Sequence, residues 1–167
     1  MRVAVSTQLD LERFVATEYP RVVAAVRLIT GDREGAPDAV QDAIVGLLAN
    51  PPRPEPRNYA AWITVAASNK VRDAQRRRGA EARALRKLEV PREGFDRATE
   101  ALDVDVRAAL DSLPKQQRQI CVLHYLLDQS VDTIADGLDV SPGTVKTQLH
   151  RARQALAARL TGGELDG

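Results

Sequence analysis

A chain of 167 residues with a formal net charge of +1 has room for one helical domain or two small ones, each with a modest core. Ala, Leu, Arg and Val dominate, and aromatic residues make up only 4%, which favours helices over sheets. The single cysteine, Cys121, excludes an intramolecular disulfide and a thiolate metal cluster. No apolar run approaches the roughly 20 residues that span a bilayer, and MRVAVSTQLDLERF turns polar too soon for a signal peptide, so neither membrane insertion nor secretion is expected.

Ser6 or Thr7 can open a first helix bearing Leu9, Leu11, Phe14 and Val15, with Pro20 breaking or kinking it after Tyr19. A second helix, RVVAAVRLIT, stops at Gly31, and Gly35 to Pro37 reads as a further turn. Val40, Ile44, Leu47 and Leu48 then make a helical stripe beneath the polar residues Asp38, Gln41 and Asp42. The segment NPPRPEPRN (Asn50–Asn58) has four prolines among polar residues and must be a loop. Helix resumes from Tyr59 to about Arg78, with Trp62, Ile63, Ala66, Ala67, Val71 and Ala74 inward and Lys70, Arg72, Arg76 and Arg77 outward.

The low net charge conceals opposed blocks. Lys70 to Lys87 contains eight basic and two acidic residues, whereas Leu88 to Ser112 contains three basic and seven acidic ones. Between Gly79 and about Asp103 the helical pattern weakens, as in a linker. Helices return with VRAALDSL and KQQRQICVLHYLL, separated by Pro114, and the chain ends in two helices around the turn Asp139 to Gly143. The expected architecture is all-α: two small helical domains, residues 1–80 and 106–162, joined by a flexible linker, 81–105.

The final pair has helix-turn-helix spacing. Ile134, Ala135 and Leu138 lie on its first helix, Val140 in the turn, and Val145 and Leu149 on the second. Ser141 caps the second helix and Pro142 takes its first position, where a missing N–H costs little. Val145, Leu149, Ala152, Leu156 and Leu160 form its buried face, and Thr144, Lys146, Thr147, His150, Arg151 and Gln154 lie opposite, without an acidic member. Such a helix fits the major groove and presents its first turns to base edges. Arg118 and Arg153 are then candidate phosphate contacts; a helical hairpin that packs on protein is the structural alternative. Farther upstream, Tyr59 and Trp62 beside a stiff loop and a basic helix end suit stacking of unpaired bases, although a tryptophan at helical spacing also suits a core.

Taken together, these segments resemble the extracytoplasmic-function (group 4) sigma factors of the sigma-70 family, the promoter-specificity subunits of bacterial RNA polymerase. YPRVVAAVRLITGDREGAPDAVQDAIVGLL is similar to the opening helices of the family's second conserved region. YAAWITVAASNKVRDAQRRR is similar to its promoter-melting helix at Trp62, Asn69, Asp73 and the closing arginines, and LDSLPKQQRQICVLHYLLDQSVDTIADGLDVSPGTVKTQLHRARQAL resembles the fourth region almost throughout. The resemblance implies that Asp38, Gln41 and Asp42 bind core polymerase. It also implies that the loop with Asn50, Arg53, Arg57 and Asn58, together with Tyr59, Trp62, Asn69, Lys70, Arg76 and Arg77, binds the melted minus 10 element. Arg118, Thr144, Lys146, Thr147, His150, Arg151 and Arg153 correspond to minus 35 contacts, and the acidic stretch Leu88–Asp105 to the connector that threads the polymerase. Promoter DNA and core RNA polymerase are the implied partners, an anti-sigma factor is a further one, and the implied compartment is the bacterial cytoplasm.

The chain departs from the family pattern in four places, one being the absence of the Phe often found near Tyr59. Ile44 stands where an aromatic residue is usual, Asp139 replaces a frequent turn glycine, and the loop before Tyr59 is unusually rich in proline. A stand-alone helix-turn-helix regulator binding a duplex operator is the competing function. An enzyme is not expected: His124 and His150 are the only histidines, His124 reads as structural, and no phosphate loop is present. Asp38 and Asp42 without further ligands make a poor metal site, so no metal or cofactor is expected.

Overall fold

The computed structural model describes residues 5–82 and 104–162, and all regular structure among them is helical. Eight helices follow in order: α1 (Val5–Thr17), α2 (Tyr19–Thr30), α3 (Gly35–Ala49), α4 (Tyr59–Ala82), α5 (Val104–Asp111), α6 (Lys115–Tyr125), α7 (Val131–Leu138) and α8 (Pro142–Gly162). Most of the expected linker, residues 83–103, lies outside the described residues, as does most of the acidic connector. The ends of the expected linker continue α4 and open α5.

The first four helices enclose a core of Phe14, Val22, Val26, Ala36, Val40, Leu47, Ile63, Ala67 and Val71. Pro20 does not end α1; it sits in the first turn of α2, where its fixed φ assists initiation and its absent N–H is not needed. Gly31 ends that helix at φ 73°, a left-handed conformation that glycine adopts without a Cβ clash, and its N–H reaches the Arg27 carbonyl at 2.8 Å. The segment Gly35–Pro37 is the first turn of α3, not a separate turn. Asp32 accepts the Gly35 N–H through Oδ1 at 2.9 Å, and a Cβ at position 35 would lie 2.5 Å from Asp32 Oδ2, so the cap requires glycine there. Val15, expected on the apolar face of α1, is exposed, whereas Phe14 is buried.

The last four helices form the second module. Ile120, Leu123, Ile134, Val145 and Leu149 are its centre, and Leu110, Leu113, Cys121 and Ala152 form a smaller cluster beneath α5. Asp139 takes the left-handed conformation, φ 54° and ψ 48°, that the turn between α7 and α8 demands. Ser141 Oγ accepts the Thr144 N–H at 3.1 Å, and Ser130 does the same for Thr133 at the start of α7. Asp visits this conformation more easily than branched residues do. Asp139→Val should therefore cost about 1–3 kcal/mol while Asp139→Gly stays within about 1 kcal/mol of the parent, as read by urea denaturation.

The two modules pack on each other. Ala25, Leu28 and Ile29 on α2 and Val65 on α4 belong to the same apolar cluster as Ile120, Leu123 and Ile134. This explains why VVAAVRLI is apolar nearly all round: α2 lies between two cores, with Val22, Val23 and Val26 serving the first. Polar contacts cross the same seam. Arg21 donates to the Leu126 carbonyl and to Asp128 Oδ2, the latter at 3.0 Å, and Arg57 Nε lies 2.5 Å from Asp136 Oδ2.

Candidate nucleic-acid interface

The polar face of α8 stands clear of the protein. Lys146, Thr147, His150 and Arg151 are exposed, while Val145, Leu149 and Ala152 anchor the opposite face. Steps of four residues put Lys146 beneath His150 and Thr147 beneath Arg151, so four donors occupy the first turns of a helix whose axis is fixed by packing against α6 and α7. Thr144 is half-buried, its hydroxyl shared with Ser141 Oγ at 2.9 Å, and Thr147 Oγ1 donates to the Gly143 carbonyl at 3.0 Å. Arg153 leans on α6, where its Nε donates to the Tyr125 hydroxyl and its guanidinium carbon lies 5.7 Å from the ring centroid. Tyr125, 52% exposed, was not singled out from sequence as part of this face; only the crossing of α6 and α8 brings it there.

Arg118 is placed differently from the expectation. Nε donates to the Leu110 carbonyl at 3.0 Å and Nη2 to the Asp111 carbonyl at 2.6 Å, and the side chain is only 16% exposed. It ties the end of α5 to the start of α6, satisfying carbonyls that a helix terminus leaves open. These bonds give Arg118 a role in holding the fold together.

In the N-terminal module, Asn58, Trp62, Val65, Asn69, Arg72 and Arg76 recur along α4 at steps of three and four and form one stripe. Asn58 starts the helix by accepting the Ala61 N–H through Oδ1 at 3.0 Å. Trp62 is half-buried, one side against the core, the other lining a cleft of about 430 Å³ with Pro54, Arg57 and Asn58. Tyr59 is also half-buried, and its hydroxyl donates to Glu55 Oε1 at 2.5 Å. Asn50 and Arg53 are exposed in the loop, and Asn69, Lys70, Arg76 and Arg77 are exposed on α4, Arg76 lying 3.6 Å from Asp73 Oδ1.

Arg72, expected outward, turns into the seam between modules. Its Nη1 reaches Gln119 Oε1 at 3.2 Å, and burial, with Arg118 and Arg76 nearby, lowers its pKa. On α3, Asp38, Gln41 and Asp42 are exposed with Val45, which is 64% accessible, and the spacing makes one continuous face of them. Ile44 packs partly against the core. His124 is structural: Nδ1 lies 2.9 Å from the Gln129 carbonyl in the turn before α7. Cys121 is buried, which pushes its thiol pKa up and disfavours the reactive thiolate. Among the described residues no group of side chains could hold a metal ion, and no helix is long and apolar enough to cross a membrane.

Residues 14–81 match the family described as Sigma-70 region 2, and residues 103–156 match Sigma-70, region 4. The chain is 31% identical to the RNA polymerase sigma-E factor of Streptomyces coelicolor, over 95% of this chain and 90% of that one. It is 27% identical to the ECF RNA polymerase sigma factor SigE of Mycolicibacterium smegmatis, over 87% of this chain, and spans 59% of that protein's length. In fold it is similar to the sigma factor RpoE in complex with the anti-sigma factor NepR from Bartonella quintana, with a TM-score of 0.74 at 24% identity, covering 91% of this chain and 97% of that one. It is also similar to CnrH in complex with the cytosolic domain of CnrY, with a TM-score of 0.64 at 25% identity, covering 93% and 90%. With both regions present in order and a relative matched across nearly its full length, the chain belongs to the extracytoplasmic-function sigma factors of the sigma-70 family.

Proposed function

We propose that this sigma factor joins core RNA polymerase through Asp38, Gln41 and Asp42 on α3 and reads a two-part promoter with its two modules. The division of labour follows 1–80 and 106–162, with 81–105 as connector. Lys146, Thr147, His150 and Arg151 face the major groove of the minus 35 element, with Thr144 and Arg153 at the margin, where Tyr125 aims the Arg153 guanidinium toward phosphate. The stripe Asn58, Trp62 and Asn69, flanked by Tyr59, Lys70, Arg76 and Arg77 and by Asn50, Arg53 and Arg57 of the loop, receives the melted minus 10 strand. A base stacked against Trp62 would enter the cleft that its free side lines.

The observation that carries this reading is the presence, on one chain, of a rigid exposed recognition helix and a separate aromatic and basic stripe. A duplex reader alone would not need the second. A stand-alone regulator is accordingly not favoured, and no catalytic residue is invoked. The protein would act in the bacterial cytoplasm with the polymerase, and an anti-sigma factor is a further partner in this reading.

Transcription from a pool of genomic fragments by purified core polymerase, with and without the protein, tests it. New RNA starts that share two upstream motifs are the expected result; failure to associate with core polymerase would overturn it. Replacing Arg151 by Ala should cost about 1–3 kcal/mol at the preferred site and flatten base preference at one position of the upstream motif. An equal loss on every sequence would instead assign Arg151 to phosphate.

A further inference from the structure

One edge of the polar face of α8 ends in a converging set of hydrogen-bond donors. Arg153 lies seven residues beyond Lys146, two helical turns along the same side, and both are exposed. Its Nε donates to the Tyr125 hydroxyl oxygen, and its guanidinium carbon stands 5.7 Å from the centroid of that ring. The ring is also held by His124, edge-to-face at 4.9 Å between centroids and 79° between planes, and His124 Nδ1 is 2.9 Å from the Gln129 carbonyl. Tyr125 is thus fixed in orientation although it is 52% exposed. It belongs to none of the apolar clusters that build the two modules, so packing does not account for it. Its oxygen accepts from Arg153, while its own O–H proton has no acceptor among the described residues, nor have the Nη groups of Arg153. No carboxylate occurs from Pro142 to Gln154 to receive them.

From this arrangement we propose that Tyr125 is itself a DNA-contacting residue: its hydroxyl and the Arg153 guanidinium together clamp one phosphate beside the groove that α8 enters, a contact that rests on the assignment of α8 to duplex DNA. Phosphate oxygens accept several hydrogen bonds at once, and a phenol O–H beside a guanidinium offers a neutral and a charged donor to the same oxygens. A solitary arginine gives up rotamer freedom when it binds. Here the Nε bond and the ring face have already fixed the guanidinium, so less is lost on binding. The clamp reads no sequence. It sets the register in which Lys146, Thr147, His150 and Arg151 meet base edges, because phosphate contacts position a protein on the duplex and base contacts specify.

Titration of a fluorescent random-sequence duplex pool with the full-length protein, over a series of salt concentrations, tests it; a pool suffices because a phosphate contact is made on every sequence. Tyr125→Phe keeps the ring, the His124 contact and the cation over the ring face, and removes only the hydroxyl. It should weaken duplex binding about five- to tenfold and leave the salt slope unchanged, since no charge is lost. Arg153→Ala should reduce that slope by about 1. In the Arg153→Ala background Tyr125→Phe should cost less than about twofold, because the bond to Arg153 is what aims the hydroxyl. A purely structural tyrosine would lower the thermal midpoint and cost the same in both backgrounds. That result, or duplex binding unchanged by Tyr125→Phe, overturns the proposal. A Lys146→Glu, Arg151→Glu variant separates this failure from that of the underlying reading. If that variant loses affinity while Tyr125→Phe does not, the clamp alone falls; if it binds the pool as the parent does, α8 is not the duplex reader and the clamp falls with it.

Discussion

Asp38→Arg combined with Asp42→Arg is expected to weaken association with core RNA polymerase by about 100-fold while leaving the thermal midpoint of the free protein nearly unchanged. Both carboxylates are exposed on α3, and neither participates in an ion pair at the module seam, where Arg21 meets Asp128 and Arg57 meets Asp136. The burial that stabilises α3 comes from Ala36, Ala39, Val40, Ala43 and Leu47 on the opposite side. If the proposed docking face meets a basic surface, reversing two of its charges replaces attraction by repulsion, and like charges brought together across an interface cost several kcal/mol. Titration of labelled core polymerase, with melting of the free protein as control, checks it. Unchanged affinity would remove α3 from the interface; a large fall in melting temperature would mean that the face had been misread as free surface.

Leu149→Ala should destabilise the protein by about 2–5 kcal/mol, a large part of the total stability of a domain this size. Leu149 is 3% exposed and lies in the cluster that joins α8 to Ile134 of α7, Ile120 and Leu123 of α6, and Leu28 and Ile29 of α2. Truncation removes apolar contact and leaves a space that helices held on three sides cannot readily close. Because that cluster crosses the seam, the loss should lower the stability of the N-terminal module as well, and urea curves followed by Trp62 fluorescence and by far-UV circular dichroism should shift together. A shift in the circular dichroism alone would show that the modules unfold independently. Duplex binding should fall in proportion to the unfolded fraction, in contrast to Arg151→Ala, which should alter preference without altering stability.

The helical class, the loop of four prolines, the cap at Ser141 and the polar face of α8 were all legible in the sequence, because each depends on spacing within a short stretch: prolines and caps act on the nearest turn, and a 3.6-residue period puts apolar side chains on one face whatever they meet. Errors at Pro20 and Gly35 were also local ones, in which breaker residues served the first turn of a helix instead of separating two helices. Membership of the sigma-70 family rests on two such sets of motifs in order.

Arg118 and Arg72 show the limit of that local information. In sequence each is a cation on a helix; in the fold one bonds to the carbonyls that end α5 and the other faces Gln119 across the seam. Nothing in the spacing distinguishes them from Lys146 or Arg151, since the carbonyls and amides that receive them come from other helices. The same holds for the meeting of Arg57 with Asp136, 79 positions apart in the numbering. The sequence by itself determined which faces were apolar and which were polar and basic. The tertiary structure alone decided which of those faces are open, because accessibility depends on what the other module covers, and that is a relation between segments distant along the chain.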